Sequence, residues 1–576
     1  MARRKVPGSL TIVIMVLFTL LVIIYHILSD DVEDISAGRV KVEGVYPPND
    51  LNESPFGFAT QQQHDADILT NSKSRLAYLK HEQSYEEVVP LFKGHKIVHL
   101  DLKGAPPTVK YYRYLFPLLH RLGATGILIE YEDMFPFNGE VENIRALNSY
   151  SRRDIVEIQK LAKNSDLEII PLIQTFGHFE FVLKLEKYKD LREVARYPQV
   201  LCPSHNKTLP LLYEMLDQVI GAHPNIKHFH IGADEVYQLA ECSRCFEVLE
   251  RNKWDKQQLF LSHVVRVATY IKKKYPTVKV LMWDDEFRDI SVQEITDSGL
   301  NKLIEPVVWK YTTDPKVSLT ENMWENYVEL WPESVWIATA FKGATAPDRY
   351  YTDISYHLRN HEGWLEIIRK YSSRIKFKGV FLTGWQRYDH FSVLCDLLPS
   401  AIPSLAVNLA VLKSSTLYDF PHDIPDNILK ILNCETPVTL SIPEPQFGWT
   451  YCGFHGSMIY SIILRLHTLN QEIARMEQDS TFKGWVKEYN LNYAFSNPSH
   501  IEHALSSLGE YKNEIIYIET DMRKAMEDIY DNYTIDEWIE TYVEPLNEKL
   551  TKLLALKNRI LERDSWPRRP LTKHEL

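Results

Sequence analysis

Cysteine is scarce in this chain: six in 576 residues, namely Cys202, Cys242, Cys245, Cys395, Cys434 and Cys452. Only Cys242 and Cys245, in "CSRC", lie close together, and no second close pair accompanies them. That gap argues against a structural zinc. No thioredoxin-like context surrounds the pair either, so a local disulfide or free thiols is the expectation, with no metal and no cofactor. Also missing is a G-x-G-x-x-G turn after any β-rich run, which removes the usual mark of dinucleotide binding. Positive charge is in deficit, with 65 Lys and Arg against 77 Asp and Glu, so nucleic acid is excluded as the main partner. Apolar and aromatic residues are plentiful. Hydrophobic residues make up 45% of the chain, with 12 Trp and 32 Tyr, enough for sizeable cores and suited to stacking on sugar rings.

An uncharged run opens the chain, from Leu10 to Leu28, behind Arg3, Arg4 and Lys5 and ahead of "SDDVED". As a helix it is roughly 28 Å long, about the hydrocarbon thickness of a bilayer. It is longer than the apolar core of a cleaved signal and lacks a small-x-small site behind it. The flanking charges predict residues 1–9 as a cytosolic tail, 10–28 as a retained transmembrane anchor and the remainder as lumenal. The expectation is therefore a single-pass type II membrane protein of the secretory pathway, in the Golgi or endoplasmic reticulum. Three sequons, at Asn52, Asn206 and Asn532, are candidate glycosylation sites on that side. The terminal "KHEL" resembles a retrieval signal with His574 in place of the usual Asp.

Residues 29–90 are polar and carry "YPPND", "NESP" and "QQQH", reading as a stem. After them, short β-rich runs alternate with amphipathic helical patterns. The runs are "KIVHLDL", "GILIEYED", "LEIIPLIQTFGH", "IKHFHIGADE", "VKVLMWDDE", "LIEPVVWKY", "SVWIATAFKG" and "FKGVFLTGWQRYD". Eight strands separated by helices predict an α/β fold, a (β/α)₈ TIM barrel over residues 91–420. Apolar positions three and four apart predict a helical C-terminal region over 421–576. Polar residues collect at or after the strand C-termini, where such barrels build their sites: Asp101, Lys103, Glu132, Asp133, His178, Asp234, Glu235, Asp284, Asp285, Tyr311 and Arg387. The pair Asp234–Glu235 is the most pointed of these. Adjacent residues of a strand face opposite ways, so two acids can share a ligand only if the strand ends there, and Gly232 supplies the freedom to end it.

In order along the strands stand "HLDLKGAPP", "EYEDMFPF", "TFGHFEF" and "HIGADEVY". This series resembles glycoside hydrolase family 20, the exo-acting β-N-acetylhexosaminidases, and within it the hexosaminidase D branch, over about residues 95–415. The resemblance implies retaining hydrolysis of a terminal β-linked N-acetylgalactosamine or N-acetylglucosamine from a glycoconjugate or oligosaccharide, with the substrate's own 2-acetamido oxygen as nucleophile. It implies that Glu235 is the general acid and later the base, and that Asp234 orients the acetamido group. The negative charge of Asp234 would then help to keep Glu235 protonated. His178 matches a supporting histidine, paired with an acid from the second strand, for which Asp133 is the candidate. Tyr311 matches the hydroxyl that binds the acetamido oxygen, and Trp283, Trp309 and Trp385 match the walls of the N-acetyl pocket. Asp101 and Lys103 stand where the family contacts outer hydroxyls. One departure is "TGWQRYD" in place of the family's "W-G-E", which puts Arg387 near the usual hydroxyl-binding Glu and leaves the choice of hexosamine open.

Two other readings fit the residues. His228 and His230 form an H-x-H pair that, with Asp284 or Asp285, could serve a metal-dependent barrel hydrolase. A non-catalytic sugar-binding protein on the same fold is the second.

Overall fold

The computed structural model describes residues 92–414, 424–440 and 444–571. Eight parallel strands close into a barrel in chain order: β1 (His95–Asp101), β2 (Gly126–Glu130), β3 (Glu168–Leu172), β4 (His228–His230), β5 (Lys279–Trp283), β6 (Ile304–Trp309), β7 (Val335–Lys342) and β8 (Phe377–Gly384). Each lies within one of the β-rich runs read from the sequence. The barrel is sealed where β1 pairs with β8, His95 opposite Gly379.

The two-residue period of the strands sorts their side chains into two cores. In β2, Ile127 and Ile129 face the surrounding helices, whereas Leu128 faces the barrel axis beside Ile97, Ile170, Leu281 and Phe381. Burying an aliphatic side chain of this size contributes about 1.5–3 kcal/mol. The helices between strands begin where the sequence supplies a cap. Thr108, Ser151, Asp255, Thr320 and Asp353 each accept a backbone N–H from the following turn.

An antiparallel ribbon, Arg192–Val194 against Tyr197–Leu201, is inserted between β3 and the helix Thr208–Ala222. Its strands are short and partly exposed, so they carry little of the alternation by which the barrel strands are recognised.

The C-terminal helices Ser457–Gln478, Leu508–Met526, Asn532–Tyr542 and Glu544–Leu561 form one compact unit with the barrel. In the first, Ile459, Ile462, Ile463, Leu466, Leu469 and Ile473 make the buried stripe. Thr108 N–H donates to the Ile529 carbonyl at 2.7 Å, and Asn148 Nδ2 donates to Asp531 Oδ2 at 2.9 Å. Cys434 and Cys452 are joined in a disulfide, and Cys202, Cys242, Cys245 and Cys395 are free thiols.

Among the described residues, no helix is long and apolar enough to cross a membrane. The expected anchor at Leu10–Leu28, the stem, the Asn52 sequon and "KHEL" lie outside the described residues. Asn206 and Asn532 are both exposed.

Candidate active site

Strand β4 is three residues long because the chain leaves the extended region soon after it: φ is +62° at Gly232, +69° at Ala233 and +51° at Glu235. Left-handed backbone at a residue with a Cβ costs on the order of 1–3 kcal/mol, so neighbours must hold it there. Three side chains do so. Gln174 Oε1 accepts the Ala233 N–H at 3.0 Å, Asp285 Oδ2 accepts that of Glu235 at 2.9 Å, and Glu286 Oε1 accepts that of Val236 at 2.6 Å. A Cβ on Gly232 would stand 1.9 Å from Gln174 Oε1, and one on Gly177 would stand 1.9 Å from the Asp234 carbonyl oxygen. Glycine is required at both. Through this turn the two adjacent acids line one pocket together with His178, Trp283, Trp309, Tyr311 and Trp385.

The two carboxyl groups have different surroundings. Asp234 is buried, with its side chain 7% exposed, while that of Glu235 is 28% exposed. His178 Nε2 lies 2.7 Å from Glu235 Oε2 and 3.9 Å from Asp234 Oδ2, and its Nδ1 lies 3.7 Å from Glu180 Oε1. Burial disfavours charge on His178, but the Glu180 carboxylate at 3.7 Å, the hydrogen bond to Glu235 and the nearby Asp234 outweigh it and raise its pKa well above the ordinary value. Burial also lifts the Asp234 carboxyl to about 8, with Asp285 and Glu235 adding to the rise against the opposing pull of His178. For Glu235 burial acts upward too, but the His178 bond and charge prevail and hold it below its ordinary value. The sequence argument had Asp234 ionised and Glu235 protonated. The surroundings act the opposite way: burial favours the protonated form of Asp234, and the His178 contact favours the charged form of Glu235. Asp234 Oδ1 is buried and has no hydrogen-bond partner among the described residues.

Trp283, Trp309, Tyr311 and Trp385 line the same pocket. Trp309 stacks on Tyr311 with centroids 5.2 Å apart, and its Nε1 donates to Asp285 Oδ1 at 2.9 Å. Trp283 and Trp385 meet at 6.2 Å, and the buried Nε1–H of each lacks an acceptor.

Other expected residues fall elsewhere. Asp133 accepts from Lys184 Nζ at 2.9 Å and lies 3.6 Å from His390, so the carboxylate behind His178 is Glu180, two residues downstream, and not the acid after the second strand. Asp101 is a strut and not an open sugar contact. Its Oδ1 accepts from Lys103 Nζ at 3.2 Å and its Oδ2 accepts the Gln386 N–H at 2.8 Å. Lys103 does line the pocket, with its ammonium 5.0 Å from the Trp385 ring, but it is also bonded to Glu130 at 3.2 Å. Arg387 reaches the rim with its donors already engaged. Nη1 and Nη2 grip Glu537 at 2.7 and 2.8 Å, and Nε donates to the Lys103 carbonyl at 2.8 Å. The H-x-H pair is no metal site either. His228 Nδ1 lies 2.9 Å from Glu168 Oε1, and His230 Nδ1 accepts the Gly232 N–H at 3.0 Å. Asp284 is taken by Arg288 and the Tyr327 hydroxyl. Sequence reasoning missed Gln174 and Glu180, although both stand in the "IQTFGHFEF" stretch that already carried His178.

Comparison with known proteins agrees with this architecture. The family model described as the catalytic domain of glycosyl hydrolase family 20 matches residues 115–327. The chain is 38% identical to hexosaminidase D of Homo sapiens over 465 residues, covering 80% of this chain and 93% of the relative. It is 48% identical to hexosaminidase D of Bos taurus over 317 residues, covering 55% of this chain and 91% of that relative. The crystal structure of a β-N-acetylhexosaminidase from Bacteroides fragilis aligns with a TM-score of 0.43 at 18% identity, covering 57% of this chain and 68% of that one.

Proposed function

The chain belongs to glycosyl hydrolase family 20 and is a β-N-acetylhexosaminidase, and from that premise we propose that it removes a terminal β-linked N-acetylgalactosamine or N-acetylglucosamine with retention, using the substrate's acetamido oxygen as nucleophile. The observation that carries this reading is the buried, unpartnered Asp234 Oδ1 beside the more exposed, histidine-paired Glu235. An acetamido N–H is a donor that such an oxygen lacks. Asp234 accepts it and orients the carbonyl oxygen toward the anomeric carbon, and Tyr311 stands in the same pocket as a hydroxyl donor.

Proton bookkeeping follows from the same pair. The surroundings favour a proton on Asp234, whereas the reaction needs one on Glu235. Hydrogen bonding from the acetamido N–H favours ionised Asp234, and a sugar covering Glu235 removes water from it and raises its pKa. Binding thus moves the proton from the buried acid to the one that protonates the leaving oxygen. Glu235 then takes a proton from water in the second half of the reaction. As the acetamido group closes on the anomeric carbon its N–H becomes more acidic, so the Asp234 contact strengthens in the transition state, which is where it lowers the barrier.

Mass spectrometry of acid-quenched enzyme tests the nucleophile. No glycosyl adduct on protein is expected, together with tight inhibition by a thiazoline analogue of the cyclised intermediate. A covalent adduct on any Asp or Glu overturns substrate assistance. Paired aryl galactosaminide and glucosaminide substrates decide the hexosamine. We further propose a lumenal catalytic domain, on the strength of the basic and acidic flanks of Leu10–Leu28. Protease digestion of the barrel in sealed microsomes without detergent overturns that orientation.

A further inference from the structure

We propose that Glu193, Cys202, Cys242 and Cys245 bind one zinc ion that fastens the His178 loop to the loop after Glu235. The four donor atoms come from three separate segments. Glu193 lies on the first ribbon strand, Cys202 follows the second, and Cys242 and Cys245 open the helix Ser243–Asn252. Cys202 Sγ lies 3.4 Å from Cys242 Sγ and 3.6 Å from Cys245 Sγ, and Glu193 Oε2 lies 3.1 Å from both of the latter. All four donors fall within 4.8 Å of one another. A tetrahedral zinc with ordinary bond lengths separates its sulfur and oxygen ligands by about 3.5–3.8 Å, so these four edges, at 3.1–3.6 Å, are within a few tenths of an ångström of a ligand shell.

The surroundings orient these groups as a metal site requires. The backbone N–H groups of Glu241 and Cys242 donate to Glu193 Oε1 at 2.8 and 3.0 Å, which turns Oε2 toward the sulfurs. The Cys245 N–H points at Cys242 Sγ at 3.4 Å. Glu193 is 2% exposed, and Cys202 and Cys245 are fully buried. Arg244 is the cation beside Glu193 and Cys202 but stands outside the cluster, whereas a divalent ion at its centre bonds all four donors directly. A surface depression lined by His205, Glu241 and Arg244 reaches Glu193 and Cys242, giving the ion an entry path. The spacing argument against zinc weighed neither a third sulfur 40 residues away nor a carboxylate as fourth ligand.

The position gives the ion its role. The ribbon braces the catalytic turn: Phe179 N–H donates to the Gln199 carbonyl at 2.9 Å, Leu201 N–H donates to the Phe176 carbonyl at 3.1 Å, and Gln199 Nε2 reaches the Glu235 carbonyl at 3.5 Å. Both ends of the clamp therefore touch the segments that hold His178 against Glu235.

The test uses the full chain purified in detergent from zinc-replete cells. Elemental analysis after exhaustive desalting is expected to give one zinc per chain, and Cys395→Ser is expected to keep it. Exchange with cobalt(II) alone is expected to give thiolate charge-transfer absorption and the intense visible bands of a tetrahedral site. Glu193→Gln, which keeps the shape, is expected to weaken zinc binding tenfold or more. Removal of the metal by a chelator is expected to lower the melting temperature. Metal-poor protein whose mass reveals a disulfide from Cys202 to Cys242 or Cys245 overturns the proposal, as does a cobalt spectrum without thiolate bands. Unchanged affinity in Glu193→Gln removes the carboxylate from the ligand set.

Discussion

The two ends of the barrel lumen hold similar residues in opposite states. At the N-terminal end Trp336 donates its Nε1–H to Glu305 at 2.7 Å, and His228 is bonded to Glu168 at 2.9 Å. At the C-terminal end Trp283 and Trp385 keep buried Nε1–H groups without acceptors, and Asp234 keeps an oxygen without a donor. A buried polar group left unpaired costs about 1–3 kcal/mol. Among the described residues Trp324, Trp331, Trp449 and Trp538 also keep buried Nε1–H groups without acceptors, so what marks the upper end is that its unpaired groups border a cavity that a ligand can enter. Histidine, tryptophan and carboxylate occur at both ends, so residue type alone does not separate structure from site.

Glu235→Gln presses this comparison hardest. Turnover of phenyl glycosides is expected to fall on the order of 10³-fold, within the range for a lost general acid, and dinitrophenyl glycosides are expected to suffer far less. Steady-state kinetics on both substrates checks it, and equal losses contradict the role.

Asp234→Asn comes next, with a loss in kcat on the order of 10²-fold, as for one oriented electrostatic group. Here stability moves the other way. The folded-state pKa of about 8 stands above the ordinary 3.8, so between those values the folded chain holds a proton that the unfolded chain releases. Wild-type stability therefore declines as pH rises through that window, by at most about 1.4 kcal/mol per pH unit. Asparagine lacks this titration. Denaturant melts at pH 5 and pH 8 are expected to show the variant gaining on wild type at the higher pH. No gain would mean that Asp234 is ionised in the free pocket.

How much of this was legible in the sequence follows the same division. The eight strands could be read because a short β-rich run between helical patterns is a local signal, and the acid pair could be read because Gly232 and its neighbours are contiguous. Glu180 was overlooked although it stands two residues from His178, whereas Glu193 and Glu537 were not legible as site residues. Their partners are brought by loops and by a helix 150 residues away from Arg387, and no local period encodes that meeting. Asp101 was misjudged for a related reason: position at a strand end says that a polar group is near the pocket, not whether its bonds are already taken. The proton order of Asp234 and Glu235 turned on which of them His178 touches at 2.7 Å, and only the fold decides that.

A smaller effect is expected at the lower end. His228→Ala leaves Glu168 partly buried without its histidine and removes an edge contact to Trp336 at 5.3 Å. The expected loss is about 1–3 kcal/mol of stability, with kcat/KM changed by less than about twofold. Chemical melts and kinetics on the same preparation separate the two. A large kinetic loss in a stably folded variant would erase the distinction between the ends.

The smallest expected effect concerns the rim, where the comparison reaches the C-terminal helices. Arg387 lines the pocket, yet its forked bond to Glu537 fixes it before any sugar arrives. Breaking that fork with Glu537→Gln removes a charge-assisted pair that is partly exposed, with Glu537 34% accessible, so its stabilising effect is largely screened. The backbone bonds from Arg387 to the Lys103 and Ser392 carbonyls remain and keep the side chain near its place. Some guanidinium donors are then free to swing toward the sugar or the solvent. The expected result is a KM shifted by about two- to fivefold with kcat almost unchanged, the pattern of an altered ground-state contact and not of lost chemistry. Steady-state kinetics on aryl galactosaminide and glucosaminide in parallel sharpens the outcome. A shift confined to one of them marks Arg387 as a discriminator of the sugar's outer hydroxyls that Glu537 holds in check. Equal shifts leave it a strut like Asp101. A fall in kcat comparable to that of Asp234→Asn would place the C-terminal helix within the catalytic machinery, and the division into a satisfied scaffold and an unsatisfied pocket would have to be redrawn around it.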